Sequence, residues 1–246
     1  MSAVLGLASF PVGVRLLLNN EKYPEEAQVL LQQRYCQALM KARRGENVIL
    51  DREGIACPAA ASAFGFRSLP EGLKSGKGLI GFGIVSDPDV GKRMFEEMPR
   101  LSSGQIAGLH LFPLTKATHS PDIVVVEDEV ERIMWIVLAY MHATGGKRVQ
   151  GSTAVLQATC VDSTIIPYLE NRLNFSYGCY GCRDATDILP GEAILGFPAS
   201  MLEDIVVHLE FLGSKAIPTS RSKKAFAALE KRIPAGLDDC DSERRK

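Results

Sequence analysis

Two cysteines stand three positions apart in the stretch Tyr177-Gly178-Cys179-Tyr180-Gly181-Cys182, and a glycine directly precedes each of them. Glycine tolerates the positive backbone angles of a tight turn, so both thiols can point into one small space. Thiolates in this arrangement bind a soft metal or an iron–sulfur cluster, or they act as a dithiol redox pair. One such pair supplies only two ligands, so a metal centre also needs thiols from elsewhere in the chain.

Three further cysteines are candidate ligands. Pro58 suits a first helical position, which puts Cys57 at the N-cap, where free amide protons and the helix dipole favour a thiolate. Cys160 is expected at the end of a strand, just before a helix that Asp162 can cap. Cys36 lies near the apolar face of another expected helix. Each could instead be an ordinary core residue, because cysteine often behaves as a small buried hydrophobe.

A [4Fe-4S] cluster bound by Cys57, Cys160, Cys179 and Cys182 is chemically sensible, and Cys36 could replace one of these ligands. Zinc is a weaker alternative, because the chain has no second Cys-x-x-Cys pair and its four histidines lack ligand spacing. The absence of any metal centre is the remaining alternative.

Two charged residues directly follow the cysteine pair. Arg183 could donate hydrogen bonds to a cluster sulfur, a bound anion or a substrate, and Asp184 could orient its guanidinium group. Both are therefore candidate catalytic residues, with an ordinary ion pair or helix cap as the alternative. Arg183 also occupies the position at which a haem-attachment motif needs a histidine, which excludes that motif.

The composition is that of a soluble globular protein. The chain has 246 residues, of which 46% are hydrophobic and 23% charged, and its formal net charge is −1. This charge gives no general attraction to nucleic acid or anionic membranes. No apolar run reaches the roughly 18–20 residues of a membrane-spanning helix, and the N-terminus lacks a charged secretory leader. We expect a cytoplasmic protein whose six cysteines stay reduced.

Several function classes lack their sequence signals. The chain has no Gly-x-Gly-x-x-Gly fingerprint, no phosphate-binding loop and no nucleophilic-serine elbow. Its aromatic residues are sparse and do not alternate with basic ones, which disfavours nucleic-acid binding.

Short strands and helices are expected to position the cysteines. Strands are predicted over 11–18, 47–50, 78–85, 106–114, 123–126, 155–159 and 193–198, and helices over 23–44, from 58 onward, and over 87–98, 127–143, 162–169 and 199–212. Recurring strand–turn–helix units favour a single α/β or α+β domain with a mixed sheet over residues 1–213. Residues 214–246 are expected to form a basic helix and a disordered charged tail, in which Cys240 is not a ligand.

Several stretches together resemble one family. They are Arg34-Tyr35-Cys36-Gln37, Ile55-Ala56-Cys57-Pro58, Thr159-Cys160-Val161-Asp162, Gly178-Cys179-Tyr180-Gly181-Cys182-Arg183-Asp184-Ala185-Thr186-Asp187 and Leu195-Gly196-Phe197-Pro198. As a set they look like the prokaryotic domain-of-unknown-function family 169, also labelled ArCR. The resemblance covers about residues 11–212 and implies a shared fold and cysteine set rather than an activity. It also implies variation at the position of Cys182, for which Cys36 would be the substitute ligand.

We therefore expect an iron–sulfur protein of anaerobic metabolism. Its role would be electron transfer with a redox partner protein, or activation of a small-molecule substrate at an open iron. The alternative is a cluster-free small-molecule-binding or thiol/disulfide redox-sensing protein, in which Cys179 and Cys182 form a reversible disulfide. A structural zinc site in an interaction protein is a third possibility. No nucleic-acid or membrane partner is expected, and a homodimer is a base-rate expectation.

Overall fold

A seven-stranded mixed sheet forms the frame of the computed structural model, which describes residues 1–220 and 227–229. The strands are β1 (Val12–Leu17), β2 (Gln28–Val29), β3 (Val48–Asp51), β4 (Gly108–Pro113), β5 (Ile123–Glu129), β6 (Asn174–Ser176) and β7 (Glu192–Pro198). Their order is β2-β3-β4-β1-β5-β7-β6, and neighbours are antiparallel except for the parallel pair β2–β3. The predicted mixed α/β class is confirmed.

Helices connect the strands and cover both faces of the sheet. They are α1 (Ser2–Leu5), α2 (Tyr35–Arg43), α3 (Pro58–Ala63), α4 (Glu71–Lys74), α5 (Lys77–Gly81), α6 (Pro88–Glu96), α7 (Val130–Ala143), α8 (Ile166–Glu170), α9 (Tyr180–Ala185), α10 (Leu202–Ser214) and α11 (Ala216–Ser220). A π-helix spans Ala158–Ile165, directly before α8. Across the described residues, every helix is too short or too polar to cross a membrane.

Side chains that alternate along the strands divide the core into two layers, because successive residues of a strand point to opposite faces. Ile123 and Val125 of β5 belong to the core that α2, α3 and the π-helix share. Val124 and Val126 belong to the core formed with α1, α7 and α10. Cys160 is part of the first core, and Cys57 packs against it. Cys57 and Cys160 therefore belong to the layer of α2, α3 and the π-helix.

Three predicted elements are wrong because tertiary contacts overrule local preference, namely the helix over 23–44 and the strands over 78–85 and 155–159. The helix predicted over 23–44 begins only at Tyr35, since Gln28 and Val29 pair with β3 instead. The strand predicted over 78–85 is replaced by α5, which follows a tight turn at Gly76 (φ +73°). A Cβ on Gly76 would lie 1.9 Å from the carbonyl oxygen of Pro88, so the close packing of α5 on α6 depends on this glycine.

The C-terminal part was predicted as a basic helix and a charged tail. Helix α11 covers its beginning. The remainder of that prediction, including Cys240, lies outside the described residues except for 227–229.

Arg43 joins the end of α2 to the sheet. Its guanidinium group lies 2.8 Å from the carboxylate of Glu127 on β5 and also pairs with Asp187. Burial raises the pKa of Glu127 to about 7, because desolvation, with repulsion from Glu192 and Asp187, outweighs the attraction of Arg43.

We expect the free energy of unfolding to fall by about 3 kcal/mol as Glu127 ionises between its ordinary pKa of 4.5 and about 7. The raised pKa means that the folded protein holds this proton more tightly, so the stabilisation is complete below pH 4.5 and is lost as the pH rises. Urea unfolding across this pH range should show a flatter profile for Glu127→Gln. The exposed residue Glu131 provides the control variant Glu131→Gln, and equal slopes for the two variants would contradict the expectation.

Candidate functional site

The Cys-x-x-Cys pair lies at the start of α9. Cys179 is its N-cap and Cys182 occupies its first turn, after a bend at Gly178 (φ +77°). The thiol of Cys179 donates to Cys182 Sγ over 2.9 Å, and the Cys182 amide donates to Cys179 Sγ over 3.1 Å. The expected turn and the expected approach of the two sulfurs are both present.

The other three candidate cysteines gather around this pair. Cys57, Cys182 and Cys179 lie close enough to Cys160 for their charges to raise its pKa. Cys36, on α2, lies close enough to Cys182 to raise the pKa of that thiol. All five thiols are free. Four separate segments, namely α2, α3, the π-helix and α9, thus bring them into one region, which we call the thiol centre.

Polar contacts hold α9 against α2. Arg34 Nη1 donates to the carbonyl oxygen of Gly181 over 2.9 Å, and Gln37 Nε2 donates to that of Ala185 over 3.3 Å. Gln37 also accepts from the Arg34 amide over 2.9 Å at the start of α2. Arg34 and Gln37 were not predicted as functional residues. Their only sequence signal was their place beside Cys36 in the stretch that carries the family resemblance.

The π-helix delivers Cys160, which was predicted instead to follow a strand over 155–159. That strand is absent within the described chain, where 155–157 form a loop and Cys160 is the third residue of the π-helix. Tyr35 and Thr164 share a buried hydrogen bond of 2.8 Å, and Asn174 Nδ2 donates to the Asp162 carbonyl over 2.7 Å. Such helices are rare and are frequent at functional sites.

The loop before the π-helix has unfavourable backbone angles. Val155 and Gln157 both have positive φ values, 49° and 57°, which are outliers for residues other than glycine. The Gln157 carbonyl accepts from the Cys160 thiol over 3.4 Å, and the Val155 carbonyl accepts from the Tyr180 amide over 3.3 Å. The loop therefore contacts two helices of the thiol centre, namely the π-helix, which carries Cys160, and α9, which carries Cys182.

Protein donors also point at the sulfur atoms of the pair. Thr159 Oγ1 donates to Cys182 Sγ over 3.1 Å. The Ala158 amide is a hydrogen-bond donor to Cys179 and lowers its pKa. Donors of this kind stabilise negative charge on sulfur, whether it is a thiolate or a metal-bound thiolate.

The thiols of Cys160, Cys179 and Cys182 are nevertheless neutral near pH 7, because the pKa of each is raised. Burial and the charges of neighbouring thiols raise the pKa of Cys160 well above 9. The hydrogen bond to Cys182, together with burial, raises the pKa of Cys179. The pKa of Cys182 is raised to about 12, because the hydrogen bond from Cys179 lowers it less than Cys36 and burial raise it. A metal bound here would have to displace these protons.

The two candidate catalytic residues differ in their surroundings. Arg183 donates to the carbonyl oxygens of Tyr177, Leu189 and Glu192, so its guanidinium group joins the segments on either side of α9. Asp184 is exposed. The catalytic role of both residues stays a prediction.

A single metal ion would need a wider arrangement of sulfurs. Tetrahedral zinc at about 2.3 Å from each thiolate separates its ligands by about 3.8 Å, whereas the sulfurs of Cys179 and Cys182 lie 2.9 Å apart. Among the described residues, no group of three or more His, Cys, Asp or Glu side chains is placed to hold a metal ion.

Comparisons with known proteins agree with the resemblance read from the sequence. The uncharacterized protein MJ0308 of Methanocaldococcus jannaschii is 29% identical over 202 residues, which are 81% of this chain and 86% of that protein. No solved structure matches significantly. The family model DUF169, described as uncharacterised ArCR, matches residues 1–208. The chain therefore belongs to the DUF169 family.

Proposed function

We propose that this protein binds an iron–sulfur cluster, of the [4Fe-4S] type, through Cys57, Cys160, Cys179 and Cys182, with Cys36 as a fifth thiol able to replace one ligand. The observation that carries the proposal is the convergence of five free thiols from four separate segments. A four-iron cluster takes one thiolate at each iron, so it requires several thiols around one volume.

The donors at the thiol centre support the same proposal. Thr159 Oγ1 and the Cys182 amide donate to sulfur, and hydrogen bonds to sulfur tune the reduction potential of clusters. In the metal-free pair, the thiol of Cys179 donates to Cys182 Sγ. Binding iron would remove the thiol protons and with them the hydrogen bond that draws the two sulfurs together. The cluster would supply one-electron chemistry.

The exposure of the thiols suggests where such a centre would exchange electrons. Cys57 and Cys179 are half-buried, whereas Cys36, Cys160 and Cys182 are buried. Beside Cys179, the exposed side chains of Tyr177 and Tyr180 reach solvent. A redox partner protein or a small-molecule substrate would therefore approach from the side of Cys179.

The decisive measurement is the iron and acid-labile sulfide content of protein purified without oxygen. We expect about four of each per chain and a visible absorption band that dithionite bleaches. A double variant with Cys179→Ser and Cys182→Ser, prepared in parallel, is the colourless control. Wild-type protein that stays colourless and iron-free, even after reconstitution with iron and sulfide, would rule the proposal out.

A second candidate is a thiol–disulfide switch, which the contact of 2.9 Å between Cys179 Sγ and Cys182 Sγ favours. A disulfide or peroxide as oxidant would accept two electrons while the thiols lose two protons and the sulfurs close to about 2.05 Å. Alkylation followed by mass spectrometry of metal-free protein tests this candidate. An oxidised form confined to this pair would support the switch, and alkylation of both Cys179 and Cys182 after oxidant treatment would exclude it.

A further inference from the structure

A second candidate site lies at the other end of α3 from Cys57, in a cleft between the segment after α3 and the helices α4 and α6. Its wide part has a volume of about 640 Å³, and its narrow part has about 220 Å³. Leu69, Lys74 and Arg100 line both parts, so the two parts adjoin each other. The wide part falls in the size range of small-molecule sites.

The narrow part carries positive charge and hydroxyl groups. Its cations are Arg67, Lys74 and Arg100, and its hydroxyl groups belong to Ser62, Ser68 and Ser103. None of the residues that line it is acidic. Guanidinium, ammonium and hydroxyl donors are the groups that bind phosphate oxygens in proteins. The lining of the narrow part therefore fits a phosphate group.

Backbone contacts hold the walls of the narrow part in place. The Leu101 amide donates to the Ala63 carbonyl over 2.8 Å, and the Gly104 amide donates to the Gly65 carbonyl over 3.2 Å. Gly65 has a φ of +73°, and a Cβ there would lie 2.4 Å from the Ser102 carbonyl oxygen. Two segments that carry lining residues are thus held together without a ligand, which limits the ordering cost of binding.

Hydrogen bonds to backbone carbonyls also hold the side chain of Arg100 in place. Its Nη2 donates to the Phe95 carbonyl over 2.5 Å, and its Nε donates to the Met98 carbonyl over 3.3 Å. The guanidinium group of Arg100, which lies where the two parts meet, is therefore already in position before a phosphate binds.

The wide part has a different chemistry. Leu69 and Phe95 supply buried apolar surface, while Glu71 and Glu96 supply carboxylates. Lys92 pairs with Glu96 at 3.6 Å. Carboxylates repel a second phosphate and accept hydrogen bonds from hydroxyl groups. The wide part thus fits an uncharged organic portion that carries hydroxyl groups.

We propose that this cleft binds a small phosphomonoester, with its phosphate in the narrow part and its hydroxyl-bearing organic portion in the wide part. Helix α3 connects the cleft to the thiol centre, since Ser62 lines the narrow part and Cys57 is the N-cap of the same helix. Five residues of helix separate these positions by about 7.5 Å. The proposal needs no cluster and stands apart from the iron–sulfur assignment.

Isothermal titration at low ionic strength tests the proposal, with ribose 5-phosphate, ribose and inorganic phosphate as probes. Ribose 5-phosphate should bind most tightly, inorganic phosphate more weakly, and ribose not detectably. The double variant Arg67→Gln, Lys74→Gln should weaken the binding of ribose 5-phosphate about 10-fold or more, since it removes two charged donors. Lys215→Gln, an exposed change at the end of α10, should leave binding unchanged.

Arg67 also donates to the Arg52 carbonyl, so Lys74→Gln is titrated alone beside the double variant and should weaken binding as well. Arg100→Gln is avoided because Arg100 makes two such bonds; Ser103→Ala replaces it and should also weaken binding, with circular dichroism to verify the fold of each variant. Absence of ribose 5-phosphate binding to wild-type protein, or unchanged binding by the double variant, would overturn the proposal. Equal affinity for ribose 5-phosphate and inorganic phosphate would overturn the role of the wide part. Iron content, measured on the same samples, reports on the thiol centre separately.

Discussion

Replacing Cys179 with serine is expected to remove most of the iron and sulfide from protein purified without oxygen. The Cys179 sulfur contacts Cys182 and accepts amide hydrogen bonds from Cys182 and Ala158, which stabilise the thiolate that a cluster ligand must be. A serine hydroxyl is a poor ligand for iron in a cluster, for which proteins use thiolates. Because Cys179 is half-buried, the substitution should leave the far-ultraviolet circular dichroism unchanged.

Serine variants of the other cysteines are expected to differ in how much iron they retain. Cys57→Ser and Cys160→Ser should lose the cluster as completely as Cys179→Ser, whereas Cys182→Ser should retain part of it, because Cys36 lies beside Cys182 and can replace it as a ligand. Cys36→Ser should retain most of it, since Cys36 is the fifth thiol. Cys240, predicted from the sequence not to be a ligand, provides the matched control Cys240→Ser, which should bind as much iron as wild type. Full iron content in Cys179→Ser would contradict the ligand assignment, and complete loss in Cys36→Ser would replace one of the four ligands by Cys36.

Gly196→Ala is expected to destabilise the fold by more than about 3 kcal/mol, at the upper end of what overpacking costs. Gly196 lies on β7, where the π-helix crosses the sheet. A Cβ at this position would lie 1.8 Å from the carbonyl oxygen of Ser163 and 2.6 Å from its carbonyl carbon. Both are backbone atoms, so relief requires the whole π-helix to move. Cys160, three residues before Ser163, would move with it.

Urea unfolding of Gly196→Ala beside Gly191→Ala tests this expectation. Gly191 directly precedes β7, and a Cβ there would meet no atom within 4 Å. Both variants lose a glycine from the unfolded chain, so their difference isolates the contact with the π-helix. We expect Gly191→Ala to stay within about 0.5 kcal/mol of wild type. Equal stabilities for the two variants would show that the π-helix does not rest on Gly196.

The sequence by itself determined the elements whose local pattern agrees with their final burial. The apolar runs of β1, β5 and β7 predicted strands there, and all three form. The long apolar helix before Gly145 was also predicted, and α7 ends at Ala143. The position of Cys57 at an N-cap followed from Pro58 alone. In the strands, a continuous apolar run matches burial on both faces of the sheet, and in α7 the apolar period matches the buried side of the helix.

Only the tertiary structure decided those elements in which the secondary structure that the local sequence favours differs from the one that tertiary contacts stabilise. The β-branched residue Val155 favoured a strand, yet the following segment forms a π-helix that is buried throughout and rests on Gly196. No composition or period indicates a helix with this hydrogen-bond pattern. The segment before Tyr35 likewise does not form the predicted helix, because the backbone of Gln28 and Val29 pairs with β3 instead.

The thiol centre shows the same division. The types and spacing of Cys179 and Cys182 indicated thiol chemistry, because two residues in one turn are neighbours in any fold that forms the turn. The approach of Cys36 depends instead on contacts between distant segments, such as the hydrogen bond from Arg34 to Gly181 across 147 positions. Such contacts form when both faces of the sheet are covered, and burial of those faces is a property of the whole chain rather than of any stretch of it.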